Sequence, residues 1–203
     1  KAANVKPSAE GESLLPDCPG LPQSGRNFLD ELLRLQLVGR SAAGLFLQQS
    51  ADHLNDFADE EVLGNALVQA GLLTNYQLDR VMAGTTHGLI LGNYRVLERL
   101  GSGSMGVVFL GEHMLLRRRV ALKVLPVDDN LPSAILERFY GEMRILADLH
   151  HPNIVMAYDA GKLPGPAPNM PILHYLVMEL VNGGDLEQYV VDHGPVPIPQ
   201  ACD

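Results

Sequence analysis

The residues best suited to chemistry lie between positions 100 and 142. Gly101-Ser102-Gly103-Ser104-Met105-Gly106 is followed at once by Val107, Val108, Phe109 and Leu110. Glycines carry no Cβ, so such a backbone can close over phosphate oxygens and donate N–H groups to them. A G-x-G-x-x-G run also occurs in dinucleotide folds, where it joins a strand to a helix that holds a pyrophosphate. Here the apolar, β-branched run after Gly106 favours a strand, so the glycines are expected to join two strands of a hairpin. Taken alone, this is also what a plain glycine-rich hairpin looks like. Val120-Ala121-Leu122-Lys123 ends an apolar strand with a lysine. A lysine amid buried neighbours needs an anionic partner; the alternative is a lysine whose stem is covered while its head reaches water. Glu142 lies 19 residues further on, in the one long predicted helix. That helix is expected to bury Phe139, Ile145 and Leu146 against the sheet, with Glu142 on or beside that face; alone, Glu142 is also what a solvent-facing acid looks like. Together the three features specify one arrangement: Lys123 bridging Glu142 and the phosphates of a nucleotide.

The elements that must position these residues follow from periodicity. Three short strands are expected at Tyr94–Leu100, Val107–Glu112 and Val120–Leu125, then a helix at Pro132–Leu149 capped by Ser133. Two further strands are expected at Ile154–Ala160 and Ile172–Leu180. Between them Pro164, Pro166, Pro168 and Pro171 require a loop. A short helix is expected at Asp185–Asp192. The fold class is α+β, an antiparallel sheet with one main helix packed on it.

Upstream, residues 1–25 read as extended lead-in, rich in Pro and Gly. Residues 26–84 read as helical. Phe28, Leu29, Leu32, Leu33, Leu35 and Leu37 recur at helical spacing, and Glu60–Val68 and Asn75–Met82 follow with Asp59 and Thr74 as caps. Shifting this region by 35 residues places Phe28 on Leu63, Leu32 on Leu67, Leu37 on Leu72, Val38 on Leu73, Phe46 on Val81 and Leu47 on Met82. That match describes two helix pairs, or simply any two amphipathic pairs. Gly84, Gly88 and Gly92 punctuate a linker into the strand region.

Composition excludes several classes. Of 203 residues 46% are hydrophobic and 19% charged, which is globular composition. The net charge is −9, spread over both halves, so a nucleic-acid surface is not expected. Arg117, Arg118 and Arg119 form the only basic run, and read as a solvated turn. Cys18 and Cys202 have no metal-ligand spacing or CxxC partner. No apolar run approaches the ~20 residues that span a bilayer. A cytoplasmic location is expected. The chain opens on Lys1, as a piece of a longer protein would, and that protein could carry a membrane anchor elsewhere.

Four motifs in order now carry a family resemblance. They are Gly101-x-Gly103-x-x-Gly106-x-Val108, Val120-Ala121-Leu122-Lys123 with Glu142, His151-Pro152-Asn153-Ile154-Val155, and the run Leu176-Val177-Met178-Glu179-Leu180-Val181-Asn182-Gly183-Gly184-Asp185-Leu186. Over residues 92–203 the chain resembles eukaryotic-type (Hanks-type) serine/threonine protein kinases of the bacterial style. The resemblance implies the kinase N-terminal lobe, a five-stranded antiparallel sheet plus one main helix, in residues 91–203, with the hinge and the start of the second lobe. The helical region of 26–90 is then an all-α extension. It implies ATP and Mg²⁺ as cofactors and a protein as substrate. Gly101, Ser102, Gly103, Ser104, Met105 and Gly106 would cover the phosphates, with Leu100 among the nucleotide contacts. Val108 and Ala121 would sandwich the adenine. Lys123 would contact the α- and β-phosphates and pair with Glu142, these two being the catalytic candidates. Met178 would be the gatekeeper, the Glu179 carbonyl and Val181 amide would bond the adenine edge, and Asp185 would approach the ribose. The family's catalytic loop, its Asp-Phe-Gly metal site and the activation segment are not found in these 203 residues, so the Mg²⁺ ligands lie outside them and the chain by itself is expected to be inactive. A nucleotide-binding regulatory or pseudokinase module is the alternative. The N-lobe surface, or the interlobe face left uncovered, could support a homodimer.

Overall fold

The computed structural model describes residues 15, 18–103 and 105–202. Most of the lead-in, and Ser104 of the glycine run, lie outside the described residues.

The first part is helical: α1 (Gln23–Arg34), α2 (Arg40–Gln49), a 3₁₀ stretch (Ala51–Ala58), α3 (Glu60–Gln69) and α4 (Asn75–Met82). Their apolar faces share one core in which Leu29, Leu32, Leu37, Leu63 and Leu67 are fully buried. Asp59 caps α3, its carboxylate accepting from the Glu61 N–H at 2.8 Å. Thr74 and Gln77 form a capping box on α4. α1 and α3 end alike. After each, a residue with positive φ, Gln36 (58°) or Gly71 (69°), turns the chain. The next amides, Leu37 and Leu72, then donate back to Leu32 and Leu67 at 3.0 and 2.9 Å. α1 stops at Arg34, so Leu37 is buried from the turn rather than from the helix. Leu47 and Met82 differ: the first is buried and the second exposed.

The second part is one antiparallel sheet of six strands, not five: β1 (Ile90–Leu91), β2 (Tyr94–Gly103), β3 (Gly106–His113), β4 (Arg119–Val127), β5 (Ala157–Leu163) and β6 (Ile172–Met178), in the order β1-β2-β3-β4-β6-β5. The extra strand, β1, is a two-residue return formed at Gly92, whose φ of 58° lets Leu91 pair with Tyr94. β5 starts at Ala157, not Ile154, because the Ile154 amide is turned back onto the His151 carbonyl at 3.0 Å. The proline loop of residues 164–171 joins β5 to β6, and the basic run forms the turn into β4, where Arg117 pairs with Glu112 at 2.9 Å.

α5 (Ser133–Asp148) packs across one face of the sheet. Pro132 occupies its cap position and no side chain caps it; Ser133 already lies inside the first turn. Phe139 is 1% exposed, while Ile145 is 60% exposed. Six residues at about 100° each put Ile145 roughly 240° around the helix from Phe139, off the buried face, whereas Glu142 and Leu146 return to it. Tyr140 fixes the helix a second way, its hydroxyl 2.8 Å from Nδ1 of His174 on β6. α6 (Leu186–His193) and α7 (Ile198–Cys202) follow.

The helical part is tied to the sheet through α4. The Gln77 side chain, 1% exposed, donates from Nε2 to the Val96 carbonyl at 2.6 Å and accepts the Thr74 N–H at 3.0 Å. Thr74 Oγ1 donates to the Leu97 carbonyl at 2.5 Å. Tyr76 stacks obliquely on Phe109, with ring centroids 5.9 Å apart.

Candidate nucleotide-binding site

Strand register decides which side chains share a face. Val108 pairs with Lys123 and Lys123 with Leu176; Ala121 pairs with Leu110 and with Met178. Directly paired residues and those two apart project to the same side. Val108, Ala121, Lys123 and Met178 therefore occupy one face, the face on which α5 buries Phe139 with Leu125 and Leu176. The alternate residues Val120, Leu122 and Val124 fill a separate core on the opposite face with Tyr94, Tyr175 and Val177.

The glycine run forms the tip of the β2–β3 hairpin, where Gly103 pairs with Gly106 and Gly101 with Val108. No helix follows it, which separates it from the dinucleotide arrangement. Gly106 has φ of 111°, and a Cβ there would collide with the Val124 carbonyl oxygen. Glycine at 106 is thus required by the hairpin itself. A Cβ at Gly101 or Gly103 would meet nothing within 4 Å, so both face open space. Leu100, Gly101, Ser102 and Gly103 are exposed, and Met105 is half-buried.

Lys123 and Glu142 meet. Nζ of Lys123 lies 2.5 Å from Oε2 of Glu142, with the side chains 17% and 33% exposed. The pair is drawn partly out of water but remains part-exposed, and the ammonium has three donors, so it can bond further anionic oxygens besides Glu142. Beyond β6 the chain runs out as an extended segment. The Glu179 N–H donates to the Met156 carbonyl at 2.8 Å, and its own carboxylate accepts the Met156 N–H at 3.3 Å. Val181 is exposed, and its N–H has no acceptor among the described residues. Asp185 is committed locally: its carboxylate caps α6 by accepting the Gln188 N–H at 2.7 Å. Among the described residues no group of three or more His, Cys, Asp or Glu could hold a metal ion. No helix among them is long and apolar enough to cross a membrane.

Sequence reasoning missed His174. It is 5% exposed on the α5 face of β6, and burial, with a smaller contribution from the Lys162 charge, holds its pKa below the ordinary value. On the other face the Tyr94 hydroxyl donates to Asp159 at 3.3 Å, and burial, then the Asp159 charge, raises its pKa.

Comparison with known proteins agrees with this geometry. The family model described as "Protein kinase domain" matches residues 94–202. The chain is 36% identical over 114 residues to the serine/threonine-protein kinase PrkC of Bacillus subtilis, covering 56% of this chain and 16% of that protein. It is 38% identical over 103 residues to the serine/threonine-protein kinase Pkn1 of Myxococcus xanthus, with coverages of 51% and 14%. With pkn2 of the same organism it shares 42% over 106 residues, with coverages of 52% and 12%. The chain thus spans a small fraction of the length of these relatives. With the hairpin, the strand lysine and its helical glutamate arranged as described, and the family model covering more than half of the residues, the chain belongs to the protein kinase domain family.

Proposed function

We propose that the α5-side face of the sheet is the ATP-binding face of a serine/threonine protein kinase whose substrate is a protein. The observation that carries this reading is the Lys123–Glu142 pair, 2.5 Å apart and part-exposed, with Lys123 paired in register to Val108 on the strand that leaves the glycine hairpin. In this reading Lys123 holds the α- and β-phosphates, and Glu142 fixes the ammonium. The backbone of 101–106 covers the triphosphate, with Ser104 assigned from sequence alone. Val108, Ala121 and Leu100 hold the adenine, Met178 closes the back of the pocket, and the Glu179 carbonyl and Val181 amide read the adenine edge. The Val181 N–H, without an acceptor among the described residues, the exposed segment after β6 and the part-exposed ammonium fit that ligand. Asp185 can reach a ribose only at the expense of its cap on α6. The described residues do not supply a donor set for Mg²⁺, and no step is assigned to it.

Phosphoryl transfer relies on positioning and on neutralising charge at the transferred group. The 203 residues contain no His-Arg-Asp loop and no Asp-Phe-Gly. We therefore expect this chain alone to bind nucleotide without transferring phosphate. A cytoplasmic setting, where ATP is held, suits this reading. Residues 26–90 act as an accessory module made of two copies of one helix-pair unit, the α1–α2 and α3–α4 pairs; their like helix ends support this. Association of two chains through the N-lobe surface is part of the same proposal.

The test is equilibrium binding of ATP to the wild-type chain and to Lys123→Met. Charge-assisted hydrogen bonds contribute about 1.5–3 kcal/mol, so binding should weaken at least about tenfold. Equal affinity in the two proteins would remove Lys123 from the site. Transfer of labelled γ-phosphate by the 203-residue chain would refute its inactivity.

A further inference from the structure

The sheet face opposite Lys123 is not fully closed where the helices meet it. A cavity of about 780 Å³ lies between α4, residues 84–90, β3, β4 and the proline loop. Small-molecule sites have volumes of about 300–1,000 Å³, mostly apolar walls and a few convergent polar groups. Tyr76, Phe109, Val124 and Leu173 supply apolar wall. Arg80 and His87 also line it, and Nε of Arg80 and Nε2 of His87 are buried with no hydrogen-bond partner among the described residues. Arg80 commits one donor to the His87 backbone carbonyl, at 3.2 Å, which ties its side chain to the 84–90 segment. No carboxylate among the described residues pairs with Arg80. A buried N–H of a charged group left without an acceptor carries its full desolvation cost. The Arg80 Nε–H is such a group, and with the unpartnered Nε2 of His87 at the wall of the same apolar cavity it marks where an anionic acceptor belongs.

We propose that this cavity binds an amphipathic carboxylate, with its head on Arg80 and His87 and its hydrocarbon body along Tyr76, Phe109 and Leu173. The planar guanidinium matches a carboxylate in shape and charge. A neutral alcohol with the same tail fills the walls but leaves the cation unmatched. The cavity uses β3 and β4, as the Lys123 face does, yet none of its lining residues is a proposed nucleotide contact. The site therefore stands or falls independently of nucleotide binding.

The test is a methyl-detected NMR titration of the whole 203-residue chain with sodium octanoate, and with 1-octanol as the neutral control. Octanoate is expected to saturate, to shift the methyls of Leu89, Val124 and Leu173, and to bind about tenfold tighter than the alcohol, as one charge-assisted contact implies. In Arg80→Gln the carboxylate advantage should fall below about twofold with octanol binding unchanged, which also reports an intact fold. In Leu173→Phe, which narrows the cavity without touching charge, both ligands should weaken together. The proposal is overturned by shifts that do not saturate or that map elsewhere. It is equally overturned by a carboxylate preference that survives Arg80→Gln, or by binding that ignores Leu173→Phe.

Discussion

Replacing Phe139 by Ala tests how Glu142 is held. Phe139 is the one side chain of α5 that is buried outright, and it is 1% exposed against Leu125 and Leu176. Truncating a buried Phe to Ala removes its transfer free energy and leaves a cavity, together about 3–5 kcal/mol. A domain of ordinary stability has about 5–15 kcal/mol in total, so Phe139→Ala should remove a large part of it. Ile145 supplies the control from the same helix. At 60% exposure its replacement by Ala should stay within about 0.5 kcal/mol. Urea unfolding followed by circular dichroism gives both numbers. The second readout is coupling between Lys123 and Glu142 in a double-mutant cycle. It should be measurable in the wild-type background and vanish with Phe139→Ala, because α5 no longer holds its register. The reasoning is refuted if Phe139→Ala costs less than about 1 kcal/mol, or if Ile145→Ala costs as much.

Three further outcomes follow from the same contacts. Gly106→Ala should destabilise the hairpin by more than 1 kcal/mol, from its φ of 111° and the blocked Val124 carbonyl, whereas Gly101→Ala and Gly103→Ala should leave the unfolding midpoint unchanged; equal effects at all three would contradict the assignment. Gln77→Ala strands the Val96 carbonyl and opens the capping box, at about 2–4 kcal/mol, and should raise amide exchange across α4 and β2 together. Exchange confined to α4 would mean that the helices and the sheet are not coupled there. His174 has its pKa lowered by burial, so the unfolded chain binds the proton more readily. Stability is then complete above about pH 6.5 and falls as pH drops from there toward the folded-state value. An NMR titration placing His174 at or above 6.5 would contradict this.

The hairpin, the strand lysine and the helical glutamate were legible because each depends on local residue type: glycines before a β-branched run, an ammonium in an apolar strand, and a carboxylate three residues from a large aromatic. The caps at Asp59 and Thr74 were legible for the same reason. What escaped was set by partners distant in sequence. Ile90–Leu91 is too short to show alternation and becomes a strand only by pairing across Gly92. Ile145 matches an apolar pattern loosely, and only the position of Phe139 against Leu125 and Leu176 selects the buried face. Ser133 looks like a cap, but Pro132, with its fixed φ, takes that position. Met82 matches Leu47 by the 35-residue shift and yet faces solvent. The cavity beneath α4 has no sequence signal, since its walls come from both parts of the chain.

The most direct test of the central claim uses an ATP analogue whose terminal phosphate carries an activated acyl group, which transfers to a lysine beside the phosphates. The sequence contains four lysines, Lys1, Lys6, Lys123 and Lys162, so peptide mass spectrometry resolves every site. Acylation is expected to concentrate at Lys123, to be suppressed by excess ATP and to be lost in the Phe139→Ala background. Acylation spread evenly over the four lysines, or concentrated at Lys162 and indifferent to ATP, would contradict a nucleotide site on the face that Lys123 and Glu142 share.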